Sequence, residues 1–456
     1  MSWDANITHV DFDWNEAVGA SSNLHALASP LELLHTLPLE PTPLNSELLQ
    51  IYVKVISRFK SSLDGDPDFN APFHKYYLPF CLQSPLLARV SIYTAACLLS
   101  ETNHLDKTIT MWIKGSAIRL LNDLLRSERF ATGDEAIAGV AQLIADEWYW
   151  GDTHDLRAHL EGMRQMIKLR GGFRNLGLNG LLSKMVIMTD FCIAITFEEP
   201  PYLHNGAEFE FSDTNPGPFK IAHNTPLLPS IDTFASCADA YKLHPTTASI
   251  LDDIRFLIAT IVALQKDVSS QENKKLRSTA QWIHGRIAAL PPDSPESTRS
   301  SSSSTPDLSA SSNTSQNSTQ STQQARSDFQ PNSFDKPPYC PQPDYLYQSI
   351  RLAALIYTSA IIARKPFSES CSLQKLYELW KTVWRVPLAT WKSMLGIFLW
   401  IEVAITPPAR DTPHGRFVKS MLSVAGLNLG IENWHASSNA LRGAMRLQAW
   451  LNEGRE

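Results

Sequence analysis

The sequence predicts an all-α protein, a large multi-helix fold interrupted by a disordered insert rich in Ser, Thr and Gln. Three observations predict it. Apolar residues recur at helical spacing along most of the 456-residue chain, start and stop signals bound those runs, and no stretch shows a persuasive strand alternation.

In chain order, helical periodicity first runs near 45–63. SPLLARVSIYTAACLLSE then opens with Ser84 as an N-cap and Pro85 at the first helical position, and is apolar on most sides, as a buried helix is. Similar signals mark 105–127 and 134–150. The next stretch, THDLRAHLEGMRQMIKLRGGF from Thr153 to Phe173, also poses a question of chemistry. Asp155 and His159 stand at metal-ligand spacing, and Gly171-Gly172 invites comparison with a phosphate loop. Neither reading survives. No third or fourth ligand lies nearby, and phosphates sit at helix N-termini, whereas this glycine pair follows a C-terminus. Leu156, Leu160, Met163 and Ile167 form one buried stripe, while Arg164, Lys168 and Arg170 suit the negative end of the helix dipole. Gly171 is expected to end the helix as a left-handed cap. Gly162, inside the helix, is expected to allow close approach of a neighbouring helix, because an interior glycine costs about 1 kcal/mol relative to alanine. Further helices follow near 179–197, 247–266 and 271–289, then near 345–363, 372–385, 388–404, 414–427 and 436–452.

Two composition breaks divide the chain. The first fifty-three residues carry seven acids and neither Lys nor Arg, with Trp3, Phe12 and Trp14 among the early acids. Residues 1–30 therefore read as a disordered acidic segment, with those three aromatics as candidate partner contacts. The second break, 291–344, includes SPESTRSSSSSTPDLSASSNTSQNSTQSTQQ. It holds too little apolar surface to offset an ordering entropy of roughly 1–2 kcal/mol per residue, and reads as a disordered low-complexity insert. The expected organisation is a helical body over 31–290, this insert, and a C-terminal helical part over 345–456 packing on the first.

The net charge of -6 and the absence of any run of five or six Lys or Arg argue against a protein that grips nucleic acid by itself. Cysteines at 81, 97, 192, 237, 340 and 371 form no C-x-x-C element, so no zinc module, metal site or cofactor is expected. The opening residues lack a secretory pattern. The most apolar stretches by inspection, 254–264 and 394–405, are too short to span a bilayer, so no membrane partner is expected.

HLEGMRQMIKLRGG, followed by a helix with Asp190 inside MVIMTDFCIAI and then EEPPYL, resembles the fungal-specific transcription factor domain. The family's H-x-x-G, R-G-G and D pattern maps onto His159, Gly162, Arg170, Gly171, Gly172 and Asp190. NAPFHKYYLPFCLQSPLLARVSIYTAACLLSE, YLYQSIRLAALIYTSAI and the closing helices resemble the family too, extending the similarity over roughly residues 30–456. In that family the domain lies downstream of a six-cysteine zinc cluster. No such cluster stands in this sequence, so sequence-specific DNA recognition does not carry over.

The resemblance implies a transcription-regulator-like protein acting through protein partners, a transcription factor or coactivator, in the nucleus, with the cytoplasm as the alternative. A second reading is a small-molecule-responsive or scaffolding helical protein that has lost the transcriptional role. For that reading Asp190 is the notable polar group inside an apolar helix, although a buried Asp satisfied by an Arg or a helix end is the commoner case. An enzyme of the all-α diphosphate cyclase type is the remote third. Asp252, Asp253, Asn122 and Asp123 mimic its acidic motifs, but Phe256 and Arg126 stand where a further acid and a hydroxyl belong. No catalytic residues are expected.

Overall fold

A computed structural model of the chain describes residues 37–151, 156–214, 217–230, 232–264, 270–292 and 343–455. Among these residues the regular structure is helical and no strand occurs. The acidic segment with Trp3, Phe12 and Trp14, and nearly all of the insert, lie outside the described residues.

Among the described residues the first helix is α1 (Pro43–Ile51), which starts where Thr42 Oγ1 accepts the Asn45 backbone N–H at 3.1 Å. It runs through a π-helical segment, Tyr52–Ile56, into α2 (Ser57–Ser61). A second π segment, Phe73–Tyr77, leads into α3 (Leu78–Gln83), a helix that periodicity does not mark but that falls in the stretch resembling the family's early helix pair. Pro79 resembles a breaker in the sequence, yet it lies inside a helical run continuous over Phe73–Gln83, directly after the π turn. The chain then bends by 107° into α4 (Pro85–Glu101). Ser84 makes this corner as expected, its Oγ accepting the Leu87 N–H at 3.0 Å. Next come α5 (Lys107–Leu125), α6 (Asp134–Trp150), α7 (Leu156–Arg170) and α8 (Leu181–Phe197), with α4 packed against both α5 and α6.

Beyond a long connection lie α9 (Ala238–Tyr241), α10 (Pro245–Ala263) and α11 (Ser270–Ala288). After the insert come α12 (Tyr345–Ala363), α13 (Phe367–Ser370) and α14 (Leu373–Val383). The single helix expected near 388–404 is two: α15 (Leu388–Ser393) and α16 (Leu395–Ala409). Met394, at φ -131° and ψ 41°, breaks them, and α16 runs through Pro407 and Pro408 in its last turn. The chain ends with α17 (Gly415–Glu432) and α18 (Trp434–Asn452).

The core is built around α8, α16 and α17, whose side chains are buried on nearly every side. Each fully buried Leu, Ile or Phe there contributes roughly 1.5–3 kcal/mol relative to exposure. The helices long and apolar enough to cross a membrane are not the stretches singled out from sequence. Among the described residues they are Leu178–Phe197 and Tyr345–Ala363, with 78% and 56% of their apolar windows buried inside the fold.

The helices after the insert close on those before it. Tyr347 Oη donates to Pro291 O at 2.8 Å, and Arg351 caps the end of α11 through Ile287 O and Ala288 O at 3.2 and 3.1 Å. Further on, Lys419 Nζ donates to Trp148 O at 2.6 Å, tying α17 to α6.

Candidate functional site

The R-G-G motif is an architectural joint. Gly171 has φ +87°, the left-handed cap expected, and Gly172 follows at φ +98°. The Gly172 N–H returns to Ile167 O at 2.8 Å, closing the helix end. A Cβ on Gly172 would stand 2.7 Å from Glu208 O, so the position also needs the missing side chain for space. Arg170 links the joint to α6 and to the next turn, donating to Asp134 Oδ1 at 3.2 Å and Asn175 O at 3.1 Å.

Asp190 is buried as expected, but its principal partners are neither an Arg nor a helix end. Its carboxylate accepts the backbone N–H groups of Tyr202 and Leu203, at 2.9 and 2.8 Å. Burial pushes its pKa up to about 6, against the pull of those two bonds and of Arg164. Arg164 holds the same loop from the other side, donating to Tyr202 O at 2.5 Å and His204 O at 2.8 Å. Together they clamp the EEPPYL loop beside a recess lined by Leu160, Asp190, Phe197 and Tyr202.

One motif position departs from expectation. Gly162 faces open space, with nothing within 4 Å of where a Cβ would stand, so close helix packing does not account for it. His159 is exposed on the same solvent side of α7, and Asp155 lies outside the described residues. The acids of the cyclase reading do not sit on solvated faces throughout. Asp252 accepts the Phe234 and Ala235 N–H groups at 2.8 and 3.0 Å, and Asp253 pairs with Arg286. Asp123 forms a surface pair with Arg126 at 3.3 Å. Among the described residues, no group of three His, Cys, Asp or Glu side chains could hold a metal ion.

A further site, which the sequence pattern does not single out, is a cavity of about 530 Å³ between α4, α6, α8 and α17. That volume lies within the roughly 300–1,000 Å³ usual for small-molecule sites. Its walls are mainly apolar, with Leu98, Ala145, Leu182, Met185, Met188 and Val424 among them. The chain before α4 closes one side, and both π segments contribute to it: Val55 and Ile56 from the first, Phe73 and Tyr77 from the second. Single π turns arise where a helix absorbs an extra residue, and they recur at functional sites.

The polar groups of the walls are mostly occupied. Thr94 donates to Asp146 Oδ2 at 2.8 Å, and Gln142 Nε2 lies 3.4 Å from Thr94 Oγ1 and 3.5 Å from Tyr52 Oη. Asp146 is fully buried behind this wall. Burial pushes its pKa up to about 7, with Lys60 and the Thr94 bond opposing. Among the charged side chains that line the cavity, Glu101 and Arg416 pair with each other, joining the end of α4 to the start of α17. Lys60 has its Nζ 5.7 Å from the centroid of the buried Tyr52 ring.

A model of the fungal-specific transcription factor domain matches residues 47–399, more than three quarters of the chain. The chain belongs to that family. The search of curated proteins and that of solved structures each return no match to it. The fungal-specific transcription factor domain spans everything from α1 into α16 and includes the R-G-G joint, Asp190 and the cavity walls from α4, α6 and α8. The wall from α17 follows the matched region but packs on α8 inside the same core. The family is one of transcription factor domains, not of enzymes.

Proposed function

We propose that this chain is a transcription-regulator-like protein that acts in the nucleus through protein partners, a DNA-binding factor or a coactivator. The observation that carries this is the family match over 47–399. The helical body carries neither a cysteine cluster nor a basic run, which supports an output passed through partners, with no sequence-specific DNA contact by that body itself. In this reading Trp3, Phe12 and Trp14 are the partner contacts of the acidic segment, with the acids assisting encounter and the aromatics supplying affinity.

A second feature belongs to the same reading. The cavity suits a small-molecule effector, so regulation by a ligand fits the fold better than a scaffold whose transcriptional role has been lost. The test fuses the whole chain, and separately residues 1–30, to an unrelated DNA-binding domain and reads a reporter in yeast. Activation or repression by the whole-chain fusion is expected. The short fusion should activate, and alanine at all three aromatics should silence it. A whole-chain fusion without effect would remove the regulatory reading, and an inert short fusion would remove the segment's part in it.

A further inference from the structure

The cavity's charge pattern names a ligand class. Three charged side chains line it, and two of them, Glu101 and Arg416, neutralise each other. The third is Lys60, which has no carboxylate within ion-pair distance among the described residues. Its chain turns inward, since Nζ lies 5.7 Å from the centroid of Tyr52, a ring with 0% exposure. The remaining walls are mainly apolar; Thr94 is engaged with Asp146 and the Gln142 amide nitrogen faces Thr94 and Tyr52, while Gln142 Oε1, an acceptor, and Trp150 Nε1, a donor, are buried without partners among the described residues. An apolar chamber whose one unpaired ammonium meets only the charge of Asp146 behind the wall, beyond ion-pair distance, favours a guest that brings an anion and a hydrophobic body together.

Two elements would hold such a guest between them. Lys60 belongs to α2, which continues directly from the π segment Tyr52–Ile56. Packed beside it, with Asn428 Nδ2 reaching Lys60 O at 3.4 Å, α17 presents Ser420, Met421, Val424 and Leu427 from successive turns. Burying the guest's apolar surface there would draw α2 and α17 onto one ligand. We propose that the cavity binds an organic monoanion, a carboxylate on an apolar body, with the anionic head against Lys60 Nζ and the body between α6, α8 and α17. This rests on the regulatory reading only for its biological consequence. The binding itself stands on the geometry.

The experiment titrates the purified full chain calorimetrically with decanoate, 1-decanol and decyltrimethylammonium, each below its aggregation concentration at neutral pH. Decanoate should bind at one per chain and about tenfold or more tighter than decanol, the range expected for a charge-assisted contact. Decyltrimethylammonium should bind weakest. Lys60→Met, which keeps an apolar stem of similar length, should bring decanoate to the level of decanol. Two plugs placed on opposite walls, Ala145→Phe and Ser420→Phe, should each abolish binding of all three probes, and either variant suffices if the other fails to fold. Equal affinity for decanoate and decanol, unchanged selectivity in Lys60→Met, binding that survives a folded plug, or no binding to the unaltered chain would each overturn the proposal. The reporter separates this failure from that of the regulatory reading. Binding with a silent whole-chain fusion refutes regulation alone, and an active fusion without decanoate binding refutes the ligand class alone.

Discussion

Asp190 Oδ2 accepts the backbone N–H of Leu203 at 2.8 Å, so one side chain in the middle of α8 fixes the loop that follows the helix. The bond matters because its donor belongs to the main chain. An apolar side chain at 190 fills the volume but leaves the N–H groups of Tyr202 and Leu203 without acceptors, and no second substitution short of proline takes those groups away. Asp190→Ala and Asp190→Leu should therefore both destabilise, by about 2–4 kcal/mol, and leucine should not rescue. Asp190→Asn, which retains one acceptor, should fall between. Chemical denaturation of the variants checks the order, and a leucine variant as stable as the unaltered protein would show that the loop does not depend on this carboxylate.

The two motif glycines make opposite predictions. Gly162 is exposed inside α7 with open space where a Cβ would stand, so Gly162→Ala should stabilise by roughly 0.5–1 kcal/mol through helix propensity. Gly172→Ala should cost about 1–3 kcal/mol, because it combines a φ of +98° with a contact of 2.7 Å to Glu208 O. Thermal unfolding of the pair distinguishes these, and a destabilised Gly162→Ala would mean that its surface is covered by something in solution.

Helix starts such as Ser84-Pro85 and the stop at Gly171 are legible in the sequence because capping is local chemistry, written within four residues of the helix end. The break at Met394 is not, since both flanks carry helical periodicity and the interruption is a matter of packing. The cavity is invisible for a related reason. Its walls come from positions between 55 and 427, each of which reads in isolation as an ordinary core residue. A weak signal does exist in α6, where Gln142 and Asp146 stand one turn apart in AQLIADEWY, a polar pair on a buried stretch. Sequence pattern draws attention instead to Asp190, whose carboxylate secures a loop, and to Gly162, which packs against nothing.

Asp146 predicts a pH dependence. Its folded-state pKa, raised by burial to about 7, exceeds an unfolded value near 3.9, so the folded chain holds a proton that the unfolded chain releases between those values. The stability it contributes is complete below about pH 4 and is lost as pH rises to about 7. Asp146→Asn keeps the shape without the ionisation, and its stability relative to the unaltered protein should grow by about 1–3 kcal/mol from pH 5 to pH 8. Glu432, held down to about 2 chiefly by its hydrogen bond with His223, acts in the opposite sense at acid pH. It is common to both proteins and cancels in the comparison. A stability difference that does not change with pH would show that Asp146 titrates normally.

Removal of residues 294–330 should leave the fold intact. Tyr347 Oη reaches Pro291 O at 2.8 Å, and Arg351 binds the last carbonyls of α11, so the two chain ends that flank the insert already meet on the surface of one body. A shortened connection has little distance to bridge, and loop-closure entropy changes by only about 0.6 kcal/mol per doubling of length. The deletion should accordingly shift the unfolding midpoint slightly and in the stabilising direction. Truncation after Asp344 is the contrasting case, because it removes α12, α16 and α17 together and exposes the apolar faces of α8 and α11 that they cover. That product should aggregate or be digested rapidly by a protease that spares the internal deletion. A large fall in midpoint on the internal deletion would show that the insert packs on the body, and a soluble, protease-resistant truncation would show that the helices before the insert form a core of their own.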